Sequence, residues 1–370
     1  MNRAAWIDRP RAQLSVRDAP RTEPGAGQVE VRVRAIAINP VDWIVQLAGS
    51  LAYRWLKYPA VIGCDIAGEV VTAGPGVTRF RPGDRVLAHV VGTDRDSNTP
   101  AEGAFQLYSV ALERMTAPIP DDLPFEDAAV LPLAVSTASC GLFQTDYLGL
   151  RHPAAHPAPT GETLLVWGGA TSVGSQAIQL AVAAGYEVVT TASPHNHGYV
   201  RGLGAKEVFD YTSATVVDDI VAAFAGRRFA GAIAFGQSSG DACVRIAARC
   251  EGRRFVALGS PAVSFAPLGE PGHGRFAVYG IARRLVAAGI GLRRRARRLG
   301  VRVKDIYGTT LKSNEVSTAV YRDFLPAALA AGSYSAVPAP RVAGTGLEHI
   351  QEAMELQRRG VSAAKIVVRL

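Results

Sequence analysis

Cysteine is scarce in this 370-residue chain: Cys64, Cys140, Cys243 and Cys250 are the only four, and no two form a CxxC pair. That excludes a disulfide framework and a cysteine-built structural zinc knot. Cys243 and Cys250 lie two helical turns apart and read as two buried thiols, because free cysteine packs as a small hydrophobe. No run of 18 apolar residues is free of charges or turn formers, so no membrane-spanning helix and no membrane partner is expected. The opening "MNRAAWIDRP" lacks the apolar core of a signal peptide, and the cytoplasm is the expected compartment. Aromatic residues make up 7% of the chain and are missing from its most basic segment, "GLRRRARRLGVRVK". A single-strand nucleic-acid groove needs rings on which bases stack, so no nucleic-acid partner is expected.

The chain has what two hydrophobic cores require: 48% hydrophobic residues and enough length for two domains. The net charge of +8 is local, since residues 271–304 hold ten Lys or Arg and no acid, and without them the balance is −2. A solvated basic helix or an anion-binding surface for a phosphorylated substrate or carrier protein both fit that segment.

The first 130 residues read as strands and turns. "QVEVRVRAIAI" alternates as a half-buried strand does, and "GEVVTAGPGVTRFRPGDRVLA" holds two strand-like runs split by the turn signals "GPG" and "RPGD". This is the pattern of a small β-barrel. "PFEDAAVLPLAVSTASCGLFQTDYL" is then apolar at helical spacing, with acids after Pro124, and predicts a helix. After a Pro-rich bend, strands "TLLVWGG", "YEVVTTAS", "EVFDY", "GAIAFG" and "RFVALGS" alternate with helix-like segments, which implies a parallel sheet covered on both faces. "NEVSTAVYRDFLPAALAAG" predicts an amphipathic helix, and "AKIVVRL" a closing strand that returns to the first sheet. The expected division is therefore a discontinuous domain of 1–130 with 311–370, and a second domain of 131–310. The stretch 262–302 carries no assignable pattern.

"LLVWGGATSVGSQAIQLA" is the strongest signal. An apolar strand enters a turn of small residues, Gly168-Gly169-Ala170-Thr171-Ser172-Val173-Gly174, that opens into a helix. Unpaired N–H groups at a helix N-terminus suit a pyrophosphate, and small residues let it approach the backbone. The textual GxGxxG is absent, yet the strand–turn–helix context points to a dinucleotide. An NAD site usually ends its second strand with an acid for the ribose 2′-hydroxyl. Here that strand ends "TTASPHNH", where Ser193, His195 and Asn196 donate to a phosphate and repel nothing, so NADPH is the expected cofactor. The competing reading makes His195 and His197 plain surface-loop histidines.

With "NPVDW", "GCDIAGEVV", "RPGDRV", "LPLAVSTA", the turn above and "SAAKIVV", the whole chain resembles the medium-chain dehydrogenase/reductase superfamily, in particular its zinc-independent quinone oxidoreductase and trans-acting enoyl reductase branch. The resemblance implies an α/β chain: a GroES-like β-barrel catalytic domain plus a Rossmann doubly wound parallel-sheet domain, with the cofactor between them. Zinc members carry a Cys shortly before the first Asp and a His-Glu pair in the second motif; here Asn39 and Pro40 precede Asp42, and Cys64-Asp65 replaces the pair. One thiol and two carboxylates without imidazole make a poor zinc site, so no metal is expected. Asp42 is then a loop anchor and Asp65 a residue that bonds backbone.

By the same resemblance, Asn39 and Thr137 fall where relatives contact nicotinamide or substrate. Tyr211 matches a tyrosine near the adenosine phosphate, Gly236 and Gly259 are strand-end glycines facing the nicotinamide, and Lys365 is a lysine near the cleft. Lys57 and Tyr53 are candidate proton donors; each also reads as a plain surface or packing residue, with water supplying the proton. Without a Lewis acid, reduction of an activated C=C bond is easier than alcohol oxidation, because hydrogen-bond donors hold the enolate charge. The expected activity is an NADPH-dependent, metal-independent reductase of an enone or enoyl thioester, free or carrier-bound. The alternatives are an NADPH:quinone oxidoreductase and an NADPH-binding protein associated with RNA or membrane. A homodimer is the family habit.

Overall fold

The computed structural model describes residues 1–270 and 275–370, so the first residues of the basic stretch, 271–274, lie outside the described residues. The chain divides into two compact units, one of 1–133, 265–278 and 312–370 and one of 134–264 and 279–311. The division differs from the sequence-based one chiefly in giving 265–278 to the first unit. Local bonding explains this: Arg358 Nη1 donates to Ala266 O at 2.7 Å and Arg11 Nη2 to Leu268 O at 3.3 Å.

The first unit begins with β1 (Asn2–Ile7), β2 (Ser15–Ala19), β3 (Gln28–Ala37), β4 (Ala60–Val61), β5 (Asp65–Ala73), β6 (Arg85–His89), β7 (Tyr108–Leu112) and β8 (Thr116–Pro118). β1 lies between β2 and β4, while β3 pairs antiparallel with β5 and β7, and β5 continues through β6 to β8. The alternation in β3 buries Val29, Val31 and Val33. The "RPGD" turn between β5 and β6 needs Gly83, whose φ of +94° favours glycine. Helix α1 (Pro40–Ala52) begins with Pro at its first position, where a missing N–H costs nothing.

The stretch 124–148, expected as one helix, is two: α2 (Phe125–Ala128) and α3 (Pro132–Phe143). Pro132 has no N–H to donate and its ring blocks continuation from the preceding turn, so it opens a new helix instead.

The second unit holds β9 (Glu162–Trp167), α4 (Ser172–Ala183), β10 (Glu187–Thr191), α5 (His197–Gly202), β11 (Glu207–Phe209), α6 (Val216–Ala223), β12 (Arg228–Ala234), α7 (Ser239–Ala247), β13 (Phe255–Leu258), α8 (Arg275–Arg298) and β14 (Arg302–Asp305). All neighbours are parallel, in the order β11-β10-β9-β12-β13-β14. This is the doubly wound Rossmann order, with its switch point between β9 and β12. The long α8 takes up more than half of the unassigned 262–302 stretch, and the sixth strand, β14, begins at its end. Cys243 and Cys250 lie in the core formed with Leu165, Ile220, Phe224 and Phe229, and burial pushes the Cys250 thiol up to about 11.

The chain then returns to the first unit. The expected amphipathic helix over 314–332 is broken into α9 (Glu315–Ser317), a wide π turn over Thr318–Phe324, and α10 (Leu325–Ala330). Pro326 again is the cause: it lacks the N–H and crowds the carbonyl four residues back. After β15 (Ala339–Thr345) and α11 (Ile350–Arg358), β16 (Ala364–Arg369) pairs parallel with β15 and antiparallel with β3. The closing strand thus joins the first sheet. Among the described residues, no helix is long and apolar enough to cross a membrane.

Candidate active site

In the second unit, β9 runs into the small-residue turn and α4 begins at Ser172. Thr171 caps the helix: its Oγ1 accepts from Gly174 N at 3.0 Å and donates to Gly168 O at 2.8 Å. The turn is tight for a steric reason. A Cβ on Gly174 would lie 2.2 Å from Gly168 O, and one on Gly169 would lie 2.2 Å from Thr190 Oγ1. The Ser172 hydroxyl oxygen is buried with no hydrogen-bond partner among the described residues. An orphaned hydroxyl beside the first N–H groups of a helix is what a cradle for a phosphate would leave.

At the end of β10, Ser193 Oγ lies 3.1 Å from the Tyr211 hydroxyl. Tyr211 is half exposed and lines, with Trp167, Gln237 and Arg249, a cavity of about 590 Å³. His195 is exposed on the turn Pro194–Asn196, whereas Asn196 is buried. His197 differs from a plain surface histidine, since its Nε2 lies 3.2 Å from Ala192 O. Gly236 and Gly259 differ from each other. A Cβ on Gly236 would meet nothing within 4 Å, but one on Gly259 would lie 2.1 Å from the Phe235 ring, so packing explains that glycine.

In the first unit, the residues around "GCDIAGEVV" form a buried polar network. Asp65 Oδ2 accepts from Asn39 Nδ2 at 2.8 Å and lies 3.1 Å from Lys365 Nζ. Lys365 Nζ also donates to Asn39 Oδ1 at 2.6 Å, and Leu133 N donates to Asp65 Oδ1 at 2.6 Å. Asp65 therefore bonds backbone as expected, but it also holds a lysine. Lys365, grouped by resemblance with the cofactor residues, is only 4% exposed and spends its ammonium on Asp65 and Asn39. These two contacts fix the Asn39 amide: oxygen toward the ammonium, nitrogen toward the carboxylate. Asp42 Oδ2 accepts from Asn39 N at 2.7 Å, which anchors the start of α1.

Burial shifts the neighbouring groups. Desolvation, with the Asp65 charge adding to it, raises the Asp42 carboxyl to about 8, and burial pushes the Cys64 thiol well up. Burial also lowers His89 to about 4. A carboxyl that ionises near 4 when unfolded and near 8 when folded makes the folded state hold the extra proton between those values. Stability is then lost as pH rises through that window. Asp42→Asn keeps the acceptor and cannot ionise, so its urea midpoint should gain on wild type from pH 5 to pH 9; parallel pH curves would show Asp42 ionising normally. His89 acts at the acid end, where stability falls as pH drops from about 6.5 toward 4.

Of the remaining sequence candidates, Lys57 and Tyr53 lie in the first unit and Thr137 in the second. Lys57 is exposed, and its backbone N is held by Asn98 Oδ1 at 3.1 Å. Tyr53 follows α1 with its ring 5.2 Å from that of Trp55. Thr137 is half-buried on α3 within the second unit, where a Cβ on Gly308 would lie 2.8 Å from its Oγ1. Sequence reasoning missed the role of Lys365 and, though it named Ser172 within the cofactor turn, the burial of that hydroxyl without a partner among the described residues. The first had a signal: a lysine between apolar residues in "AAKIVV" is a buried cation that must find a carboxylate.

Residues 25–121 match the family model for the alcohol dehydrogenase GroES-like domain. The chain is 49% identical over 372 residues to "Dehydrogenase pigH" of Monascus ruber, covering 100% of this chain and 99% of that one. It is 37% identical over 371 residues to "Trans-enoyl reductase himH" of Aspergillus japonicus, covering 100% and 98%. A crystal structure of an alcohol dehydrogenase superfamily protein from Novosphingobium aromaticivorans superimposes with a TM-score of 0.73 at 25% identity, covering 100% of both chains. The protein is an oxidoreductase built from a GroES-like unit and a Rossmann unit. It belongs to the medium-chain dehydrogenase/reductase superfamily, whose members bind nicotinamide cofactors.

Proposed function

We propose that the protein is an NADPH-dependent reductase of an activated C=C bond, an enone or an enoyl thioester, that works without metal. The observation that carries this reading is the Lys365 ammonium on Asp65 and Asn39. A fixed cation already balances Asp65, the carboxylate of the Cys64-Asp65 pair, so a divalent ion there would have to displace a buried lysine. Gly169, Thr171, Ser172 and Gly174 would hold the pyrophosphate, and Ser193, His195 and Tyr211 the 2′-phosphate. When bound, NADPH supplies the hydride for the β-carbon of the conjugated bond. Charge then builds on the substrate's carbonyl oxygen. Asn39 would answer it: one Nδ2 hydrogen is used on Asp65, and the other would be the donor, of fixed direction, to an enolate. The α-carbon takes its proton from water.

Support for NADPH over NADH comes from the Ser193–Tyr211 pair and the lack of an acid at the end of β10. Ser193→Ala with Tyr211→Phe should weaken NADPH by about 10-fold and leave NADH unchanged, as expected for hydrogen bonds to a charged group. Fluorescence titration reads both. The wider test is turnover of an enone, an enoyl thioester, a quinone and a primary alcohol, each with and without chelator. Chelator-insensitive reduction of the first two with NADPH is expected. Chelator-sensitive alcohol oxidation would overturn the reading.

A further inference from the structure

Helix α8 carries eight arginines and no acidic residue over its 24 residues. Two are neutralised within the second unit, Arg293 by Asp305 at 2.5 Å and Arg295 by Asp241. Arg283, Arg284, Arg294, Arg297 and Arg298 are exposed and form no ion pair among the described residues.

At 100° per residue, Arg283, Arg294, Arg297 and Arg298 share one side of the helix, a sector of about 120°. Tyr279, Val286 and Ile290 fall in the same sector and are 68%, 61% and 47% exposed. Leu292 and Ala296 lie on the opposite side and pack into the core of the second unit. The helix thus spends its apolar face on its own protein and leaves open a face of arginines with three apolar side chains between them.

That division decides among occupants. A membrane-lying helix inserts a continuous apolar face, and here that face is already used. Phosphate backbones take up arginines but give nothing to Val286 and Ile290. Protein interfaces are enriched in Arg and Tyr around an apolar centre, and opposite charge selects the partner.

We propose that this face of α8 docks an acidic, helical carrier domain that brings the enoyl group as a phosphopantetheine thioester. The surface is argued from α8 alone; the identity of the partner rests on the thioester reading. The carboxylates of one carrier helix meet Arg294, Arg297 and Arg298, and its apolar residues cover Val286 and Ile290.

The test compares a purified acidic acyl carrier domain, loaded with a crotonyl group, against crotonyl-pantetheine. Arg294→Glu with Arg297→Glu and Arg298→Glu should raise KM for the carrier-bound substrate at least 10-fold and leave kcat and KM for crotonyl-pantetheine unchanged. Val286→Ser with Ile290→Ser should raise the same KM several-fold. These side chains are exposed, and a thermal melt checks that each variant folds. Equal KM values for wild type and variants would overturn the proposal. If wild type reduces neither thioester, the substrate reading fails on its own. Fluorescence anisotropy of the labelled carrier then still tests the surface, with α8-dependent binding expected. No binding of the carrier, or α8-dependent binding of phosphatidylserine vesicles or duplex RNA in its place, would overturn it.

Discussion

Lys365→Met is expected to cost the first unit about 3–5 kcal/mol, the usual loss when one partner of a buried ion pair is removed. Asp65 is 0% exposed, and among the described residues the variant leaves its carboxylate with Leu133 N and Asn39 Nδ2 as donors. Methionine matches the length of the lysine stem, so the loss reports charge rather than volume. Asp65→Asn in the same chain removes the stranded charge and should recover more than half of the stability. A double-mutant cycle on urea midpoints measures the coupling; a single-variant loss below about 1 kcal/mol would mean that water already compensates Asp65. The stable double variant then separates fold from function. Asn39 Oδ1 has lost its donor, the amide is no longer held in one orientation, and kcat should fall while KM stays near wild type.

That network shows where the sequence was readable. The alternating strands and the βα alternation are local patterns, and a local period is visible in a single chain. The turn from Gly168 to Gly174 is local too, and each small residue has a steric reason within a few positions. Asn39, Asp65 and Lys365 are different: 326 residues separate Asn39 from Lys365, and only the return of β16 beside β3 joins them. Their types suggested roles, but the pairing is a property of the topology. The misjudged helices have a simpler cause. Apolar spacing over 124–148 and 314–332 continues across Pro132 and Pro326, and hydrophobic period carries no account of a missing backbone N–H. The stretch 262–302 was unreadable because the eight arginines of α8 occupy more than half of its circumference, so the narrow apolar side that packs on the second unit stands out little in the sequence.

Gly174→Ala is expected to weaken NADPH and NADH alike, by roughly 100-fold, the equivalent of about 2–3 kcal/mol of overpacking. The added Cβ would lie 2.2 Å from Gly168 O and 2.9 Å from Thr171 Oγ1. Gly168 O is backbone at the end of β9 and cannot rotate away. The turn must lift from α4, which breaks the bonds from Thr171 to Gly168 and Gly174 and misdirects the first N–H groups of the helix. In the proposed reading those groups would hold the pyrophosphate, which both cofactors share, so selectivity between the two should not change. This separates the turn from the Ser193–Tyr211 pair, whose loss should affect NADPH alone. Gly202→Ala is the control, because a Cβ there meets nothing within 4 Å. Fluorescence titration of both variants with both cofactors reads the difference. Wild-type affinity in Gly174→Ala would mean that the pyrophosphate does not lie on this turn, and the assignment of Gly169, Thr171 and Ser172 would fall with it.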